Sequence, residues 1–144
     1  MRRVEWLESD GPASEEQIQK VEKYLGVEFP KDYKECVTQF NGGYPEPDLF
    51  DINEEKDAIF SCLLSHTNDE ASILEVYDLS SNVLPAEIIP FARDPFGNLI
   101  CFDYRGKRIP TIIFFDHEEV GDKAIYQICS TFSELLERLY SIDD

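Results

Sequence analysis

From Ile88 onward the chain is dominated by four short runs of β-branched and aromatic residues: Ile88 to Ala92, Leu99 to Tyr104, Thr111 to Phe115 and Ala124 to Cys129. Such runs, bounded by turn formers, are too short for ordinary helices and have the composition of strands. Asp94-Pro95-Phe96-Gly97-Asn98 joins the first two, and Arg105-Gly106-Lys107-Arg108 joins the second to the third, where Pro110 stands at a tolerated strand-start position. Links this short connect antiparallel neighbours, so the segment predicts a meander.

Helices flank the meander in the sequence. Ser14 and Gln17 have the spacing of a capping box, Ile18, Val21 and Leu25 recur on one helical face, and Gly26 supplies a left-handed stop, predicting a helix from Glu15 to Leu25. Pro30 suits the first position of a second helix, whose apolar residues are Tyr33, Cys36, Val37 and Phe40 and which Asn41, Gly42 and Gly43 terminate. After the strands, Thr131 and Glu134 repeat the capping-box spacing, and Phe132, Leu135, Leu136 and Leu139 form a stripe suited to packing on a sheet. Between these parts, Ala58 to Leu64 reads as a strand. Ile73 to Leu79 fits either period, with helix preferred. Helices, then strands, then a helix make an α+β fold: an antiparallel-rich sheet with two N-terminal helices and a C-terminal helix packed on it. At 144 residues the chain is expected to form a single domain spanning 1–144.

Charge narrows the partners. Lys and Arg number 13 against 30 Asp and Glu, a net charge of -17. A 42% hydrophobic content separates the chain from disordered acidic sequences, while its negative field disfavours nucleic acid and anionic membranes and favours a basic protein. Met1 to Asp10 lacks the apolar core of an export signal, and runs such as Ile112 to Phe115 fall far short of a membrane span, so a cytoplasmic location is expected. Cys36, Cys62, Cys101 and Cys129 are scattered, without zinc spacing, and read as reduced, buried hydrophobes.

The acids are unevenly spread. Residues 46–87 hold eleven of them against the single base Lys56, a net -10. Most acids in such a run solvate a surface, but clustering on this scale also accelerates capture of a basic partner. Asp48, Asp51, Glu54, Glu55, Asp57, Asp69 and Glu70 are the candidate partner contacts. Tyr44, Phe50, Phe60 and Tyr77 lie among the acids and read mainly as core anchors.

Catalytic and metal sites find little support. Asp116, His117 and Glu118 are consecutive at a strand end and cannot all converge on one substrate. Asp94, Asp103 and Asp116 would offer hard-cation ligands only if brought together, and turns select Asp anyway. The Asn41-Gly42-Gly43 segment follows a helix, whereas a phosphate-binding loop precedes one. Neither a nucleophile elbow nor a dinucleotide fingerprint occurs, and no enzyme, cofactor or metal site is expected.

Three segments, EEQIQKVEKYLGVEFPKDYKECVTQFNGG, IIPFARDPFGNLICFDY and ICSTFSELLERL, together resemble the SUKH superfamily, named partly for yeast cell-wall synthesis regulators. The most specific is the first, with its Leu25-Gly26 stop, Phe29-Pro30, Tyr33 and Phe40-Asn41-Gly42-Gly43. The resemblance implies a small α+β domain without catalytic residues. In bacteria it implies an immunity protein that binds and neutralises a cognate toxin, often a nuclease. Charge adds that such a toxin is basic, so occlusion of its substrate groove is the expected mechanism. The alternative is a non-catalytic regulatory or scaffold module binding endogenous proteins.

Overall fold

The computed structural model describes residues 4–67 and 72–142. In chain order the elements are β1 (Glu5–Leu7), α1 (Glu15–Leu25), α2 (Lys31–Phe40), β2 (Tyr44–Glu46), β3 (Leu49–Asn53), β4 (Lys56–Ile59), β5 (Cys62–Leu63), α3 (Ile73–Ser80), β6 (Ile88–Arg93), β7 (Leu99–Asp103), β8 (Thr111–Phe115), a 3-10 turn (Gly121–Ala124), β9 (Ile125–Cys129) and α4 (Phe132–Arg138). The expected α+β architecture is present. Strands β5 to β9 form an antiparallel sheet in sequence order, with β3–β4 and β1–β2 as separate two-stranded pairs.

Local chemistry accounts for most boundaries. The Ser14 hydroxyl accepts the Gln17 N–H at 3.1 Å while the Gln17 side chain accepts the Ser14 N–H at 2.8 Å, a complete capping box, and Gly26 ends α1 at φ 72°. Pro30 is the residue before α2 rather than its first helical position. The Thr131 hydroxyl caps α4 by accepting the Glu134 N–H, but the Glu134 carboxylate turns to the Ser130 N–H instead of completing a box on Thr131.

One strand expectation needs correcting. Ala58 to Leu64 is not continuous: it divides into the end of β4 and the short β5, which belong to different sheets. The break falls where Phe60 N–H bonds to the Asp48 carbonyl at 2.7 Å and Ser61 N–H to the Arg93 carbonyl at 2.9 Å, so the chain changes partners within two residues. The preceding strand β3, absent from the sequence reading, supplies the other half of the hairpin.

The central strands are almost uniformly buried because both sheet faces are covered. Ile89, Phe91, Ile100, Phe102, Ile112 and Phe114 face the main core with residues of α1, α2, α4 and the β3–β4 hairpin. Ile88, Leu99, Cys101, Ile113 and Phe115 form a smaller cluster with Leu84 and Ala124 on the opposite face. Double-sided burial turns the usual alternating strand pattern into continuous apolar runs. Tyr33 of α2 sits at the centre, its ring 5.1 Å from Phe29 and Phe102, 5.4 Å from Phe132 and 5.7 Å from Phe91. Asp32, beside it, accepts both the Ser133 N–H at 2.9 Å and its hydroxyl at 2.8 Å, tying α2 to the start of α4.

Candidate functional site

Alternation along β3 and β4 buries Phe50, Ile52 and Ala58 and leaves Asp51, Asn53 and Asp57 outside. Asp51 lies directly across from Asp57 in the register, a like-charge pair that would weaken the hairpin without compensation. Part of that compensation comes from Tyr140, whose hydroxyl donates to Asp51 Oδ1 at 2.8 Å. This bond, with the surrounding negative charge, raises the Tyr140 pKa to about 12, so the phenol stays protonated as a donor. Glu54 and Glu55 occupy the exposed turn, which is fixed by the Asn53 side chain accepting the Glu55 N–H at 2.9 Å.

The hairpin thus gathers Asp51, Glu54, Glu55 and Asp57 on its exposed side and turn. Asp48 is half-buried just before β3 and contributes its backbone carbonyl to the Phe60 bond. Asp69 and Glu70 lie outside the described residues. Lys56, the one base of the acidic segment, does not neutralise this group: its ammonium lies 3.3 Å from Asp116 Oδ2 and 5.3 Å from the Tyr126 ring. Asp116 raises the Lys56 pKa through that hydrogen bond. Of the aromatics scattered among the acids, Phe50 and Phe60 are in the core, Tyr77 is half-buried and Tyr44 is exposed.

The other candidate clusters separate in space or serve the fold. Pairing of Leu99 with both Arg93 and Phe115 places the Asp94 and Asp116 turns at one end of the sheet, while Asp103, paired with Ile88 and Thr111, stands at the other. Asp94 binds its own turn. Asp103 is buried beneath Arg105, whose guanidinium meets both carboxylate oxygens at 3.0 and 3.1 Å. Burial alone would raise the Asp103 pKa, but Arg105 and Lys107 more than offset it and hold it below the ordinary carboxylate value. Among the described residues, no three His, Cys, Asp or Glu side chains come together as a metal-binding group.

The four cysteines are free thiols, with Cys62 and Cys101 buried and Cys36 and Cys129 half-buried. Burial pushes Cys36 up to about 12 and Cys129 up to about 11, which disfavours the nucleophilic thiolate. Asn41, read from sequence only as a helix terminator, is a fully buried connector: Oδ1 accepts the His66 N–H at 2.8 Å, and Nδ2 donates to Ser65 Oγ and Thr67 Oγ1. No helix among the described residues is long and apolar enough to cross a membrane.

Residues 12–138 match the profile of the SMI1 / KNR4 family (SUKH-1). The chain is also 28% identical over 140 residues to the SPbeta prophage-derived uncharacterized protein YokK of Bacillus subtilis (strain 168), covering 84% of this chain and 71% of that protein.

Proposed function

This chain belongs to the SMI1 / KNR4 (SUKH-1) family, and from that membership we propose that it is an immunity protein, acting in the cytoplasm as a single domain and neutralising a cognate basic toxin of the nuclease type. The observation that carries the reading is the concentration of Asp51, Glu54, Glu55 and Asp57 on one hairpin whose only lysine is engaged by Asp116. A toxin that cleaves nucleic acid needs a cationic substrate groove. An acidic hairpin competes for that groove, speeding encounter through long-range attraction and then blocking access by occupancy. Asp48, Asp69 and Glu70 extend the proposed contact set. Inhibition of this kind requires no reaction by the immunity protein.

Identification of a toxin gene beside this one, followed by co-expression with the carboxy-terminal domain of its product, tests the reading. Growth is expected to be restored by this protein, and the two chains should co-purify as a stable complex. Continued growth arrest, with no complex recovered from cells that contain both chains, would overturn it.

A further inference from the structure

Phe96 is 68% exposed at the turn between β6 and β7, yet that turn is tightly fixed. Asp94 Oδ1 accepts the N–H groups of Phe96 and Asn98, both at 2.8 Å, and Asp94 Oδ2 accepts the Asn98 side-chain amide at 2.8 Å. The neighbouring β8–β9 turn clamps it from outside: His117 N–H donates to Asn98 Oδ1 at 3.0 Å, and His117 Nε2 lies 2.8 Å from the Phe96 carbonyl oxygen. Gly97 has φ +92°, which L side chains rarely adopt, and a Cβ there would stand 3.1 Å from His117 Nε2, so any side chain would have to press the imidazole back. A large apolar group is therefore displayed on backbone that has little freedom left to lose on binding.

Its surroundings indicate what kind of surface would cover it. The turn holding His117 also carries exposed Glu118 and Glu119 and the 81% exposed Val120. It connects to the acidic hairpin through Lys56 and Asp116, and Ile52 and Asn53 of that hairpin share a depression of about 520 Å³ with Glu119, Asp122 and the single base Lys123. Exposed Ile109, by contrast, lies at the other end of the sheet beside Lys107 and Arg108, where the local charge does not suit a basic partner.

We infer that Phe96 is the apolar anchor of the toxin-facing surface, entering an apolar pocket on a basic protein whose surrounding Lys and Arg side chains meet the acids of the hairpin and the β8–β9 turn. The inference rests on the proposed immunity function and adds to it a residue that governs dissociation, as buried aromatic anchors at interface centres do.

Binding kinetics of the wild type, Phe96→Ala and Leu79→Ala with the same toxin domain test it, Leu79 being an equally exposed apolar residue on α3. Phe96→Ala is expected to weaken binding roughly tenfold or more, mainly through faster dissociation, and Leu79→Ala to change it less than about twofold. Hydroxyl-radical footprinting of the unmutated complex should show Phe96 protected, a readout independent of how any variant folds. If the wild type binds while Phe96→Ala stays within about twofold of it, or Phe96 is labelled equally free and bound, the inference is overturned and the immunity reading stands. If the wild type itself forms no complex, both fall.

Discussion

Replacing Asn41 with leucine is expected to destabilise the protein by about 3 kcal/mol, although the two side chains are similar in size. Asn41 is fully buried and its amide serves three partners, the His66 N–H, Ser65 Oγ and Thr67 Oγ1. Leucine would leave the buried His66 N–H without its acceptor, costing about 1 to 3 kcal/mol for that group alone. Loss of the two donated bonds adds to this. The backbone carbonyl of Asn41, which accepts from Asp10 N–H at 2.8 Å and Ser9 Oγ at 3.0 Å, would be retained, so the effect isolates the side chain. Urea denaturation at neutral pH provides the measurement. A loss below about 1 kcal/mol would mean that the connection between the end of α2 and residues 65–67 is not the tie described here.

The second large effect is a loss of stability on mild acidification, arising from His66. Its ring is buried and bonded through Nε2 to the Tyr33 hydroxyl at 2.7 Å, while Nδ1 meets no hydrogen-bond partner among the described residues. Burial lowers the His66 pKa from 6.5 to about 4, and burial also raises that of Tyr33, which keeps the phenol protonated. Between these two histidine values the unfolded chain takes up a proton that the folded protein refuses. Stability therefore falls as pH drops from about 6.5 towards 4, with about 2 kcal/mol lost by pH 5 and roughly 3 kcal/mol over the full interval. Carboxylates titrate at the acid end of this range, so the informative quantity is the difference between wild type and His66→Gln from pH 7 to 5. The wild type should lose stability more steeply across that window. Parallel curves would show that His66 is not held neutral by the fold.

The visibility of these features in the sequence followed the range of the interactions that create them. The Ser14–Gln17 box and the Gly26 stop are contacts within one helix, and α1 has the bounds that they imply. The strands β6 to β9 were legible because burial on both sheet faces made them continuously apolar. The β3–β4 hairpin was obscured because Asp51, Asn53 and Asp57 interrupt its apolar residues, and the Tyr140 hydroxyl that binds Asp51 is far away in the chain. Asn41 looked like a simple terminator because its partners, residues 65–67, are brought near only by tertiary structure. For the candidate site, sequence density marked the acidic segment, but the grouping of its exposed acids required the register of a hairpin. Phe96 resembled any apolar residue between two strands until its turn was seen clamped by His117 with the ring left outside.

The role of the hairpin is measured most directly by stopped-flow association with the toxin domain at two salt concentrations. The wild type is compared with a variant carrying Asp51→Asn, Glu54→Gln, Glu55→Gln and Asp57→Asn. Removing like charge, including the facing pair Asp51 and Asp57, should leave the variant folded and at least as heat-stable as the wild type. Its association at low salt is expected to be roughly tenfold slower, with a flatter salt dependence. Dissociation should stay nearly unchanged if the acids act from the rim, and accelerate if they pair with buried toxin Lys or Arg. Association and dissociation rates equal to those of the wild type, in a folded variant at both salt concentrations, would remove the hairpin from the interface.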